Sequence, residues 1–105
     1  MVRSKSELII ANNLFSEGIK YSYEEPLFYK EEEKPIHPDF TIKIDGKNYY
    51  WEHLGLIGDE KYDINWSFKL DIYRKYFSEQ LLKTYEGTNI SESSMEIIYM
   101  LKQLR

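Results

Sequence analysis

Pro38-Asp39-Phe40-Thr41-Ile42-Lys43-Ile44-Asp45-Gly46-Lys47-Asn48-Tyr49-Tyr50-Trp51-Glu52-His53-Leu54 is the stretch on which the fold reading turns. Two runs rich in β-branched and aromatic residues, 38–44 and 47–54, flank Asp45-Gly46, a dipeptide suited to a tight hairpin turn. Working outward, residues 4–17 are expected to form a helix opened by Ser4 as N-cap and closed by Gly18. Residues 21–28 are expected as a strand, followed by a charged loop that runs to Pro35. After the hairpin, the segment 55–58 breaks the sheet. A long helix is expected over 60–76, a short strand over 80–85 and a last helix over 93–104. The order is α-β-β-β-α-β-α. It places all 105 residues in one α/β domain, without repeat, low-complexity segment or linker.

Composition narrows the function classes. Hydrophobic residues make up 42% and aromatic residues 16% of the chain, ten of them tyrosine, which suits a packed core and not a disordered chain. No apolar run approaches the roughly 20 residues that a bilayer crossing needs. The start, Met1-Val2-Arg3-Ser4-Lys5, leads into an amphipathic segment and not a signal core, so a cytoplasmic protein of bacterial type is expected, with no membrane partner. Without cysteine, disulfides and thiolate metal sites are excluded, and His37 and His53 are the only imidazoles. A net charge of −4 argues against a broadly basic surface for nucleic acid. Much of the acid, however, sits in Glu24-Glu25 and Glu31-Glu32-Glu33, whereas Arg3, Lys5, Lys69, Arg74 and Lys75 fall in expected helices, so charge can be segregated by face.

Four charges stand where apolar residues are expected. Asp39 and Glu52 lie on neighbouring expected strands, and a strand interior normally excludes carboxylates because an unpaired desolvated charge is costly. Two such acids point to a shared cation. On the long helix, Tyr62, Trp66, Lys69 and Tyr73 fall on one line, with Phe68, Leu70, Ile72, Tyr76 and Phe77 on either side, so Lys69 sits within the apolar face. On the first helix Glu7 falls among Ile10, Ala11, Leu14 and Phe15. One polar site that receives Glu7, Asp39, Glu52 and Lys69 explains all four.

Plainer readings stand beside that one. Ser4-x-x-Glu7 is also a capping box, in which Glu7 reaches back to the Ser4 amide. Lys69 can snorkel, with its stem buried and its ammonium in water. Asp39 can simply close a loop before a strand. His53 alternates to the face opposite Glu52 and is expected as a hydrogen-bonded histidine; its backbone carbonyl, next to Glu52, is the better donor for a hard cation.

Several segments together carry a family resemblance: Lys5-Ser6-Glu7, Gly18-Ile19-Lys20-Tyr21-Ser22-Tyr23-Glu24, Pro38-Asp39-Phe40-Thr41-Ile42, Tyr50-Trp51-Glu52-His53-Leu54-Gly55 and Trp66-x-x-Lys69-x-x-x-Tyr73. In this order the chain resembles the PD-(D/E)XK, restriction-endonuclease-like nuclease superfamily. It is most similar to nuclease-like domains of superfamily 1 DNA helicases of the UvrD/Rep type. The resemblance implies an α-β-β-β-α-β core with a mixed sheet flanked by helices, here with an extra C-terminal helix. It implies Mg²⁺ or Mn²⁺ held by Asp39, Glu52, the His53 backbone carbonyl and Glu7. Asp39, Glu52, Lys69 and Glu7 become the catalytic set, and Lys69, Tyr73, Lys5 and Trp66 the residues that meet substrate. The chain departs from the pattern at Leu54, where the family carries its lysine; Lys69 on the helix is the candidate replacement, in a place where some relatives carry Gln-x-x-x-Tyr.

The resulting expectation is a metal-dependent deoxyribonuclease of DNA repair or defence, with DNA, a helicase domain or protein, and a homodimer as the partners it implies. The alternative is a catalytically inactive DNA-binding or docking module of the same fold, which Leu54 and the acidic balance favour. A third reading takes Met95-x-x-Ile98-x-x-Leu101-x-x-Leu104 as a surface for a protein partner, against the plainer reading of that stripe as core.

Overall fold

The computed structural model describes residues 4–30, 33–55 and 58–104. Along the chain come α1 (Lys5–Ser16), β1 (Tyr21–Tyr23), β2 (Phe40–Ile44), β3 (Lys47–Leu54), α2 (Glu60–Tyr76), β4 (Leu81–Tyr85) and α3 (Ile90–Gln103). The fold is α/β, in the order expected from the sequence, around a four-stranded mixed sheet of order β1-β2-β3-β4. The strands β1 to β3 are antiparallel neighbours, and β4 runs parallel to β3. Parallel neighbours need a crossover of a dozen or more residues, which the 17-residue α2 supplies.

Local chemistry explains most of the boundaries. The Glu7 N–H donates to the Ser4 hydroxyl at 3.1 Å, capping α1, and Gly18 at φ +71° ends it. Asp45 and Gly46 both have positive φ, 49° and 80°, as the hairpin turn between β2 and β3 requires. Two strands are shorter than expected. Glu24, at φ +54°, leaves the extended region and ends β1 after three residues; beyond it Leu27 and Ile36 make one isolated bridge. At β2, Pro38 and Asp39 precede the strand and are not part of it. The last helix begins three residues early because Asn89 caps it, its side chain accepting from the Glu92 N–H at 3.1 Å. Arg3, Glu31, Glu32, Leu56 and Ile57, placed by the sequence in a helix, the charged loop and the sheet break, lie outside the described residues.

The sheet is covered on both faces. Trp51, Phe40, Ile42, Ile44 and Tyr49 pack against Ile10, Ala11 and Leu14 of α1 and Ile98 and Leu101 of α3. On the other face Tyr50 packs against Ile72 and Tyr73 of α2 and against Ile36. With α2 above and the α1/α3 pair below, β3 is buried from Tyr49 to Leu54, which is why its sequence reads as a nearly unbroken aromatic run. The α3 stripe resolves as packing: Ile98 and Leu101 are in the core, while Leu104 at its end is exposed. One expectation for α2 is corrected: Phe68 is 61% exposed, not packed. The side of α2 towards the sheet runs through Trp66, Lys69, Ile72 and Tyr73, and Phe68 lies about 100° round the helix from Lys69. No described helix is long and apolar enough to cross a membrane.

Phe40 is fully buried among the rings of Tyr21, Tyr23 and Trp51. Phe40→Ala is therefore expected to cost about 3–5 kcal/mol of stability, by transfer and cavity together. Phe68→Ala is expected to stay within about 0.5 kcal/mol of wild type. Urea unfolding of both variants checks the assignment of inner and outer faces.

Candidate functional site

The β3 strand carries Glu52 towards α2, between Tyr50 and Leu54 on the same face. At 3% exposure this carboxylate sits inside the protein, and two residues of α2 answer it. The Lys69 ammonium lies 2.8 Å from Glu52 Oε2, and the Tyr73 hydroxyl donates to the same oxygen at 2.6 Å. Lys69 and Tyr73 are four residues apart, so both lie on one side of the helix. Lys69 also donates to the His37 carbonyl at 2.9 Å, which ties α2 to the segment before β2. Burial nevertheless raises the Glu52 pKa, against the lowering effects of Lys69 and Tyr73. For Tyr73, burial and then the neighbouring Glu52 charge hold the proton on the phenol.

Asp39 enters from the segment before β2. Its Oδ2 accepts from the His53 backbone N–H at 2.7 Å. Burial first and the Glu52 charge second push its carboxyl up to about 7; Glu7 adds to the rise, while the His53 N–H and Lys69 oppose it. Glu7 comes from the first turn of α1. The Tyr23 hydroxyl of β1 donates to its carboxylate, so the Ser4 half of the capping box is present and the Glu7 side chain serves another partner.

These residues share one cleft of about 870 Å³, whose lining includes Glu7, Asp39, Glu52, Lys69, Lys5 and Trp66. The four charges read from sequence as belonging together are thus neighbours at one end of the sheet. Lys5 and Trp66 are at its wall. Tyr73, expected to meet substrate, is instead fully buried and touches Glu52; it bears on the cleft through that carboxylate. The His53 ring is buried and hydrogen-bonded at both nitrogens, to Thr84 and Glu86.

The cleft also contains residues that sequence reasoning passed over. Tyr62 was legible on the helical line of Lys69, and its hydroxyl accepts from the Gly55 N–H at 3.2 Å. Burial raises its pKa, and the charges of Asp39, Glu52 and Glu7 act in the same direction. Ser6 and Glu86 carried no local signal: an exposed acid after a strand is unremarkable until the parallel register of β3 and β4 sets it beside His53.

For a cation, the question is what the donors allow. Among the described residues no three His, Asp or Glu side chains form a ready-made metal cage. The donor chemistry that does fit is two carboxylates and a main-chain carbonyl. Asp39 is pushed upward by its acidic neighbours and stands to gain from a positive charge. The β2–β3 register, continued past Phe40 opposite Trp51, sets Pro38 opposite His53. Proline has no N–H to donate, so the His53 carbonyl has no ladder partner on that side. The Tyr62 hydroxyl lies 3.5 Å from it, a weak contact. Hard oxygens of this kind suit Mg²⁺ or Mn²⁺.

Over 61 residues, 58% of this chain, the sequence is 38% identical to the uncharacterized protein MJ1519 of Methanocaldococcus jannaschii. The similar stretch spans only 5% of that much longer protein. No protein-family model matches the chain. No solved structure matches it.

The raised Asp39 pKa fixes the sign of a pH effect. The unfolded residue releases its proton near pH 4, the folded one near pH 7. Between those values the folded state binds more protons, so stability falls as pH rises through the window. Asp39→Asn keeps an oxygen for the His53 N–H and removes the charge. It is expected to match wild type near pH 4 and to exceed it at pH 8 by on the order of 2–4 kcal/mol. Urea unfolding of both proteins across that range checks this.

Proposed function

We propose that the chain is a metal-dependent nuclease acting on DNA phosphodiester bonds. The observation that carries the reading is the meeting of Glu7, Asp39, Glu52 and Lys69 in one cleft, drawn from α1, the segment before β2, β3 and α2. The element order α-β-β-β-α-β, and strand neighbours in chain order, support a restriction-endonuclease-like core. Asp39, Glu52 and the His53 carbonyl would hold Mg²⁺ or Mn²⁺, with Glu7 as a further acid. Such an ion supplies Lewis acidity towards a phosphoryl oxygen and lowers the pKa of bound water.

The chain's own groups have distinct tasks in this reading. Lys69, anchored by Glu52 and the His37 carbonyl, offers its remaining N–H to the scissile phosphate and offsets negative charge that builds there. Tyr73 fixes the Glu52 oxygen that Lys69 also contacts. Lys5 and Trp66 stand at the wall to meet a phosphate and a base. The acids repel a DNA backbone until a cation offsets them. The cleft is small for selecting a substrate, so a helicase domain or a second copy of the chain belongs to the proposal. The long Methanocaldococcus jannaschii protein, in which the similar stretch stands beside much other sequence, is consistent with a neighbouring domain.

A second reading, a non-catalytic DNA-binding or docking module, draws on Leu54, an apolar buried residue where the resemblance expects the lysine. One set of measurements separates the two. Wild type is expected to bind Mn²⁺ in calorimetry and Asp39→Asn to lose that binding. Wild type is expected to cleave DNA oligonucleotides with Mg²⁺ or Mn²⁺, Lys69→Met to do so about 10²–10³ times more slowly, and EDTA to weaken DNA binding. A wild type that binds no Mn²⁺ in the presence of oligonucleotide, and leaves DNA intact, establishes the docking module instead.

A further inference from the structure

The cleft lining also holds a second polar cluster, which the proposed chemistry leaves without a task. Glu86 follows β4, and its backbone N–H donates to the Leu54 carbonyl at 3.0 Å. Its carboxylate accepts from the Ser6 hydroxyl of α1 at 2.7 and 2.6 Å, and the His53 Nε2 lies 3.0 Å from its Oε2. On the other side of the ring, His53 Nδ1 is 2.8 Å from Thr84 Oγ1. That hydroxyl oxygen also accepts from the Trp51 indole N–H at 3.1 Å. The Glu86 carboxylate can only accept, so the imidazole presents Nε2–H to it; in the neutral ring Nδ1 then accepts from the Thr84 O–H, whose oxygen takes the Trp51 indole N–H. The ring is clamped at both ends, one clamp buried in the core and one at the cleft.

What the clamp holds is the His53 peptide. Opposite it, β2 has ended at Phe40 and Pro38 has no N–H, so no ladder bond steadies that edge. Yet this residue supplies the N–H that grips Asp39 and the carbonyl that would serve the cation in the reading above. From Leu54 the strand passes directly to Gly55. On the β4 side the parallel ladder holds the strand through Leu54 opposite Tyr85, and the Glu86–Leu54 bond extends it; on the β2 side only side chains hold its end.

We infer that Glu86, backed by Ser6, is a positioning residue: by clamping the His53 ring it sets the His53 peptide, and through it Asp39, in the arrangement that receives the cation. This rests on the metal reading above. It assigns Glu86 no contact with the ion. Glu86 is about half exposed, so its loss leaves the core intact.

The test is Mn²⁺ calorimetry on full-length wild type, Glu86→Ala, Glu86→Gln and Asp39→Asn, with thermal unfolding and amide hydrogen exchange of the metal-free proteins. Glutamine keeps an oxygen for Nε2–H and an amide for Ser6. Glu86→Gln is expected to bind within a few-fold of wild type and Glu86→Ala about 10–100 times more weakly, the range for loss of a group that orients a metal ligand. In Glu86→Ala the His53 amide is expected to exchange at least about tenfold faster, with Trp51 and the melting temperature unchanged. Equal Mn²⁺ affinity in wild type and Glu86→Ala overturns the inference and leaves the metal reading standing. Equal loss in both Glu86 variants overturns it too, because Glu86 is then a ligand. A wild type that takes up no Mn²⁺ removes the metal reading and this inference together.

Discussion

A carboxylate in the middle of a sheet is the constraint from which this structure is organised. Glu52 stands in β3 with covered faces above and below, and a buried charge left without a partner costs several kcal/mol. The answer comes from one helix side: Lys69 and Tyr73 reach the same oxygen from adjacent turns of α2. Two contacts a turn apart fix both the rotation and the height of α2 over the sheet. That rotation turns Trp66 and Tyr62 to the cleft and leaves Phe68 in solvent. The need to satisfy one acid thus decides which side chains surround it.

The cleft is then over-supplied with negative charge. Glu7, Asp39, Glu52 and Glu86 line it against Lys5 and Lys69, and Lys69 is already committed to Glu52 and to a carbonyl. Asp39 bears the consequence, with a carboxyl held near neutrality by burial and by its neighbours. A group in that position is stabilised by a proton or by a cation, and near neutral pH the two compete. Packing alone gives no reason for such an arrangement, because a neutral residue at position 39 would satisfy the His53 N–H at lower cost. The imbalance gives the cleft a preference for positive charge that exposed surface acids, screened by water, would not create.

The elements and the conjunction of charges were legible from local signals. The Asp45-Gly46 turn, an aromatic run and Gly55 bounded β3, and a period of 3.6 showed Lys69 and Glu7 as charges within apolar stripes. Those signals are local and survive without coordinates. What stayed hidden depends on register between distant segments. Nothing near Glu86 in the chain indicates His53, because their contact exists only through parallel pairing of β3 with β4. Tyr73 has the helical phase of a cleft residue but lies deep, since phase gives direction and not depth. The early end of β1 follows from one residue, Glu24, in a conformation that β-propensity does not foresee.

Leu54 and Lys69 divide packing and charge between the strand and the helix above it. Position 54 lies two residues beyond Glu52 on the same face of β3 and is 3% exposed, packed and apolar. A lysine there would bring an ammonium into a space that the core already fills. Lys69 approaches from the helix above, buries its stem along α2 and delivers the ammonium to within 2.8 Å of Glu52. Leu54 strengthens the packing where the strand ends, and Lys69 keeps the positive charge at the carboxylates. Because that lysine is tied to the His37 carbonyl as well, it also fixes the segment that carries Asp39, so the residue that neutralises the site is also one that assembles it.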